Sequence, residues 1–502
     1  MKKIYTILAL ASLIVLSSCE LTLYPETGYS EGNVTVDENA NESQYSTRED
    51  MKGLRDAMYS SWTKDIQEKG YLDWLVYAEC RADNAYGGNP GTGELMAIEA
   101  NKQDGENKNV VRDWDWYQGQ VSNCNNIICN IDRIKEADPT MTDKEYREWK
   151  SEAYCWRAWN LFQMSQLWGD IPLVNTIPPA ITAENIEEVY DAYFPGRTPR
   201  ADIYAQIIEE LEFACQNAPD MDPGNKHLFT KAFAHGMLAR VYAEATAQDW
   251  NKVAQHCAAI EGMGYKLVED YGQMWAYDDS DAVRNTSESI FEITWTRSSG
   301  NWVWMMFHRN AYNPDDSYSW IKWITPSRDL IAAYDAEGDT ERKNGCIVYD
   351  EAIWSNYYPG TEYAFMHKVP TNASSIILMR LGEIYLLHAE ALAMTGDLAG
   401  ATEYVNKIRE RAGIKTISVP ASQDAMIDAI LHERRLELAF EGFRFFDLLR
   451  HGFDRAKAIH DAMPQQDKYW QPRFPLTEET VYMPIPQTAL DNNPSLVQNA
   501  GY

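Results

Sequence analysis

Positive charge is scarce in this chain of 502 residues, where 45 Lys and Arg stand against 75 Asp and Glu for a formal net charge of −30. That balance argues against nucleic acid as a partner and against lying flat on an anionic bilayer, because both need a basic face. A neutral ligand stays open. After the first residues there is also no apolar run of the roughly 20 residues that a membrane-crossing helix needs. Cysteine occurs eight times, yet no pair is spaced C-x-x-C and none stands beside histidine at zinc-ligand spacing. With Cys19 set aside, Cys80, Cys124, Cys129, Cys155, Cys215, Cys257 and Cys346 read as small buried side chains. Cys124 and Cys129 lie about one helical turn apart, a poor geometry for a disulfide.

Catalytic signatures are missing as well. No G-x-S-x-G or P-loop occurs, and Asp278-Asp279-Ser280-Asp281 lacks the spacing of an EF-hand. His432-Glu433-Arg434-Arg435 opens like H-E-x-x-H, but Leu436 stands where the second zinc ligand belongs. With 75 acidic residues, chance carboxylate pairs are guaranteed, so no glycosidase dyad is legible. Glu433, Glu437 and Glu441 share a helix face near Arg434, Arg435 and Arg444, which reads as charge pairing between neighbouring helices. No catalytic residue, cofactor or metal ligand is therefore assigned, and a structural calcium has no ligand pattern behind it.

What is present begins at the N-terminus. Lys2 and Lys3 precede an apolar stretch from Ile4 to Leu16, the pattern of a secretory signal. Leu16-Ser17-Ser18-Cys19 resembles a bacterial lipobox, with Cys19 as the lipid attachment site. The expected division is a lipoprotein signal peptide over residues 1–18, a lipidated polar tether over 19–47 and one domain over 48–502.

Within that domain the apolar period predicts helices over residues 49–68, 114–137, 142–168, 202–217, 230–246, 250–263, 375–395, 398–412 and 424–450. Thr142 is the expected N-cap of one of them, and Gly169 to Pro172 its stop. Trp114, Trp149, Trp156 and Trp159 sit at helical spacing and are expected in the core. Residues 83–105 read as a long loop, and residues 269–374 as a loop-rich region with short strands such as Ser289 to Thr296. The remainder, 451–502, reads as an irregular tail. Two helical pairs echo each other, Ala239 to Ala254 and Ile384 to Ala401, with small residues where antiparallel helices meet, as in a tetratricopeptide unit.

An ordered set of motifs then resembles the SusD/RagB family of Bacteroidetes outer-membrane lipoproteins. It runs through Glu79-Cys80-Arg81-Ala82-Asp83-Asn84, Arg157 to Phe162 with Trp168 to Leu173, and Arg197 to Arg200. It continues with Lys231 to Tyr242, Met379 to Ala391, Asn406 to Gly413, Glu433 to Gly442 and Arg444 to Arg450. The C-terminal Asn493 to Tyr502 departs from the usual pattern only at Ala500, where proline is common.

The resemblance implies a mainly α fold, a right-handed superhelix of four tetratricopeptide-like helix pairs with a loop-rich, mixed insertion. The helical scaffold would take in residues 48–268 and 375–450, and residues 269–374 would hold the ligand. It implies a lipid-anchored, non-enzymatic role at the outer surface, capturing oligo- or polysaccharide for a SusC-like TonB-dependent channel. A peptide ligand and, less readily, a surface glycosidase are the alternatives. Sugar rings stack on flat aromatic faces, so Trp302, Trp304, Tyr312, Tyr318, Trp320 and Trp323 are candidate contacts. Asp83, Asn84 and Tyr86 are expected on the opposite side of the ligand.

Overall fold

A computed structural model describes residues 44–88, 92–182, 185–313 and 322–502. The chain divides into two compact units. The smaller, Met1–Gln44 with Pro179–Ile186, lies mostly outside the described residues; within it Thr182 and Asn185 close a turn by reciprocal hydrogen bonds. The larger, Tyr45–Pro178 with Glu187–Tyr502, carries the helical series and the strand pairs. Cys19 lies outside the described residues.

Helix α1 (Arg48–Asp65) leads into two π-helical turns, Gln67–Asp73 and Val76–Cys80. Then come α2 (Lys108–Ala137), α3 (Asp143–Trp168), α4 (Arg200–Asn217), α5 (Lys231–Ala243) and α6 (Trp250–Glu261). After the loop-rich region follow α7 (Leu381–Met394), α8 (Leu398–Arg411), α9 (Gln423–Glu437), α10 (Arg444–Arg450) and α11 (Phe453–Gln466). From α2 to α9 each helix packs on the next, α6 onto α7 included, so the helical series closes across the insertion.

Local chemistry sets the ends of these helices. Thr142 caps α3 in a reciprocal capping box with Glu145, and Gly169 stops it at φ 74°. Asp249 and Asp397 cap α6 and α8 by accepting backbone N–H bonds in the first turn. The core of the large unit is strongly aromatic. Trp156 stacks on Trp159 at 4.8 Å, Trp62 meets Trp156 edge-on at 4.5 Å, and Phe229 stacks on Phe291 at 4.6 Å. Trp114, Trp149, Trp156 and Trp159 are all buried, as their spacing predicts.

Three antiparallel strand pairs complete the described fold. They are β1 (Ala85–Gly87) with β3 (Ile324–Pro326), β2 (Ser289–Ile293) with β6 (Ile376–Arg380), and β4 (Ile347–Asp350) with β5 (Tyr363–Met366).

Several boundaries differ from the sequence reading. The loop over 83–105 contains β1 and a short helix, Gly93–Glu99. The run 375–395 is a strand followed by α7, because Arg380 is extended and the helix starts after it. The run 424–450 breaks into α9 and α10 where Phe440 and Gly442 take φ of 64° and 85°. The tail carries α11, which accommodates Pro464 in its last turn. Cys129 is exposed and Cys215 half-buried, against the expectation for both; the other five are buried, and no disulfide joins the described cysteines.

Ion pairs buried at the centre join these parts. Arg380, at the end of β6, donates to Glu288 and Glu437 at 2.6 Å each and to Glu441 at 2.8 Å. Arg411 from α8 reaches Glu288 at 3.0 Å and also Glu437. Arg342 donates to Glu433 at 2.6 Å and Glu437 at 3.2 Å. Burial alone would raise the Glu437 carboxyl, but Arg411, Arg380 and Arg342 outweigh it and hold it well below the usual carboxylate range. Arg435 and Arg444 do the same for Asp83, and Arg450 with His451 for Glu390, again against the burial of each.

Removing one member of such a cluster leaves its partners charged and buried. Glu437→Gln is expected to cost roughly 3–5 kcal/mol of folding stability by denaturant titration. Lys52→Ala, which removes an exposed pair with Asp56 on α1, is expected to cost less than about 0.5 kcal/mol.

The depressed carboxyls also fix an acid limb. Their contribution is complete above the unfolded carboxylate pKa of about 4 and is lost as pH falls toward their folded values. His256 and His308, held down to about 4 by burial, act in the same direction. Glu79 and Glu99, pushed up to about 7 by burial, are protonated in both states below pH 4 and add no slope there. Stability measured from pH 4 to 2 is expected to fall, by up to about 1.4 kcal/mol per pH unit for each depressed carboxyl titrating.

Candidate functional site

The loop-rich region is organised around the backbone of residues 370–374. Asn301, 3% exposed, donates its side-chain amide to the carbonyls of Thr371, Asn372 and Ser374 at 3.2, 3.1 and 2.8 Å. Its own N–H bonds the Asn372 carbonyl at 2.8 Å. Gly300 lies so close to Asn372 that an added Cβ would sit 2.8 Å from that carbonyl oxygen. Ala311 N–H reaches Pro370 at 3.0 Å, Asn372 donates to the Arg297 carbonyl at 3.0 Å, and Arg284 reaches the Ala373 carbonyl at 3.3 Å. Three otherwise irregular segments are thereby pinned to one hub.

On this hub stand the aromatics. Directly after Asn301, a 3-10 turn over Val303–Met306 carries Trp302 and Trp304, both half-buried against the main core. The Trp302 N–H donates to Gln67 at 2.9 Å, tying the turn to the first π-helical stretch. Trp323 joins the same patch: its N–H bonds the Met306 carbonyl at 2.9 Å, and the Arg112 guanidinium lies 5.8 Å from its ring. Its indole N–H is buried and meets no acceptor among the described residues. Tyr312 meets Tyr277 edge-on at 6.0 Å, and the Arg297 guanidinium covers its ring at 4.1 Å. Tyr277, 41% exposed, projects from a tight hairpin whose turn is closed by Ser280 and Asp281 N–H bonds to the Asp278 carboxylate.

The Trp323 to Met306 backbone bond thus sets Trp302, Trp304 and Trp323 on adjoining segments, with Tyr312 on a neighbouring part of the hub. Tyr318 and Trp320 lie outside the described residues.

Asp83, Asn84 and Tyr86 require a correction, because all three are buried and their polar atoms are used inside the fold. Asp83 accepts from Arg444 at 2.8 and 2.9 Å and pairs with Arg435 at 3.4 Å. Asn84 donates to Glu79 at 2.6 Å and accepts from Arg435 at 2.9 Å. Tyr86 stacks on Tyr357 at 4.7 Å and donates to Asp467. They brace the base of the loop region and present nothing to a ligand. The sequence reading missed Tyr277 and Arg297, for which the turn residues Asp278 to Asp281 were the available signal.

A cavity of about 60 Å³ lies elsewhere, between Trp74, Phe443 and Phe446 on one side and Arg240, Glu244 and Arg450 on the other. It is far below the roughly 300 Å³ at which ligand sites begin, and its polar lining suits a few waters. The His432 motif is also accounted for. His432 meets Glu337 at 3.1 Å, and Glu433 is taken by Arg342 and Arg409.

The fold is a succession of paired helices with a loop-rich region that carries Trp302, Trp304, Tyr312 and Trp323. One family model, described as the SusD family, matches residues 361–502, and a second, described as "Starch-binding associating with outer membrane", matches residues 36–243. SusD-like protein P38 of Formosa agariphila is 26% identical, over 99% of this chain and 98% of that protein. Among solved structures, surface glycan-binding protein A from Bacteroides fluxus gives a TM-score of 0.72 at 21% identity, covering 91% of this chain and 100% of that one. A structure described as a laminarin-binding SusD-like protein gives 0.69 at 20% identity, with coverage of 91% and 100%. The structural likeness is one of fold. It shows the mainly α architecture of the SusD superfamily, and the two family models match this chain to SusD-type proteins at both its ends. The second family description and the names of both structural neighbours are those of binding proteins.

Asn301→Ala removes three buried acceptor contacts at the hub. The expected result is a loss of about 1–3 kcal/mol. Amide hydrogen exchange is expected to speed up within residues 296–306 and 370–374 and to stay unchanged in α2 and α3.

Proposed function

We propose that this protein captures oligo- or polysaccharide at the cell surface and hands it to a SusC-like TonB-dependent channel of the outer membrane. The observation that carries the reading is the gathering of Trp302, Trp304 and Trp323 on adjoining loop segments, with Tyr277 and Tyr312 paired beside the same hydrogen-bonded hub. Flat rings on segments pinned to a rigid scaffold suit the C–H faces of sugars. The family description "Starch-binding associating with outer membrane" and the names of two structural neighbours, one glycan-binding and one laminarin-binding, support the ligand class and the location. In this reading residues 1–18 are a lipoprotein signal, Cys19 carries the lipid and residues 19–47 are the tether to a domain over 48–502.

Affinity electrophoresis against starch, laminarin and a panel of other soluble polysaccharides tests the ligand. Binding of at least one glycan is expected, with no release of reducing ends. The double variant Trp302→Ala, Trp304→Ala is expected to weaken it by about five- to 150-fold, since stacking on an aromatic contributes roughly 0.5–1.5 kcal/mol per ring. An unchanged affinity in a folded double variant would rule out the patch. Binding of peptides with no glycan retained would overturn the ligand class.

A further inference from the structure

Helices α4, α5 and α6 pack in succession, and each brings one metal-ligating side chain to a common point away from the aromatic patch. These are Cys215 on α4, His235 on α5 and His256 on α6, and one ligand atom from each lies within 4.8 Å of the other two. The two imidazoles approach with their Nδ1 atoms 2.8 Å apart. The Tyr242 ring lies nearly parallel to His256 at 5.8 Å and holds its plane. His256 is 5% exposed, while Cys215 and His235 are half-buried, so the cluster has a closed side and an open side.

A hydrogen bond between the two rings accounts for only part of this arrangement. It gives no reason for a half-buried thiol to stand within 4.8 Å of the pair. We propose that Cys215, His235 and His256 form a metal site for Zn2+, which clips α4, α5 and α6 together and keeps its fourth position open to water.

The donor set fits that ion. One thiolate and two neutral imidazoles make a borderline-soft set that suits Zn2+ and not Mg2+ or Ca2+. Burial keeps His256 neutral, its pKa pushed down to about 4, and lowers that of His235 as well. With Zn–N bonds of about 2.0–2.1 Å, a tetrahedral ion sets two nitrogens roughly 3.3 Å apart. The rings therefore need to part by about half an ångström. On binding, the Cys215 S–H proton leaves to solvent as the S–Zn bond forms. The proton shared by the two Nδ1 atoms moves to an Nε2, which frees both lone pairs. Nothing in this site draws on the glycan reading, and neither depends on the other.

The test uses the full chain, reduced, stripped with chelator and titrated with Zn2+ by calorimetry. One ion per chain is expected, together with a rise in melting temperature. His235→Gln and Cys215→Ser are each expected to weaken binding at least tenfold, with circular dichroism confirming that both variants fold. Co2+ in place of Zn2+ is expected to give a thiolate-to-metal charge-transfer band that Cys215→Ser abolishes. Undiminished Zn2+ binding in folded His235→Gln, no binding by the wild type, or a Co2+ spectrum without the thiolate band would each overturn the proposal.

Discussion

Arg380 is the residue on which the rest of the fold converges. Its guanidinium, 1% exposed, is shared by Glu288 just before β2, Glu437 at the end of α9 and Glu441 in the turn beyond. Those carboxylates are in turn held by Arg411 from α8, Arg342 from the helix Thr340–Cys346 and Lys368. A charge taken out of water is tolerated only when its partners are in place, so the cluster demands that β6, α8, α9 and the loop-rich region all be assembled together. Arg434 and Arg450 around Asp447, and Arg444 and Arg435 around Asp83, extend the same logic outward. Hydrophobic burial supplies the drive to compact this chain; the ion pairs specify which compact arrangement is reached.

This explains why the motifs that mark the family are so rich in charge. Arg380 to Glu383, Asn406 to Arg411, Glu433 to Glu441 and Arg444 to Arg450 look on paper like solvated helix faces or catalytic acids. In space they meet one another. Glu383 takes the Arg240 guanidinium from α5 at 2.7 Å, and Glu390 takes both Arg450 and His451. The acidic motif near the N-terminus is the counterpart on the other side, since Asp83 closes onto Arg444 across most of the chain length.

How much of this was legible in the sequence follows from the range of each interaction. Caps, stops and apolar periods are local, so α1 to α9 and the N-cap at Thr142 could be read directly. The break after α9 could not, because a left-handed Phe440 is sustained by Arg380 and Lys368 gripping Glu441 from distant segments. The π-helical turns after α1 carry no residue signature, and the helix predicted over 49–68 takes in only the first two of their residues. At the site, Trp302 and Trp304 were visible as aromatics in a loop. Asp83, Asn84 and Tyr86 misled for the opposite reason: polar residues beside glycines look exposed until their far partners are known. The histidines that meet Cys215 were invisible to any spacing rule, each arriving on a separate helix.

The pairing of β2 with β6 has one more consequence. Ile293 lies opposite Ile376, and Leu381 N–H bonds the Glu288 carbonyl at 3.0 Å, so the long excursion between them leaves and returns at one stapled stem. Of what is written between those strands, Arg342 and Lys368 reach down into the charged centre, to Glu437 and Glu441. Natural selection can therefore lengthen, shorten or rewrite the excursion around those two anchors, altering what is recognised while the chassis keeps its shape.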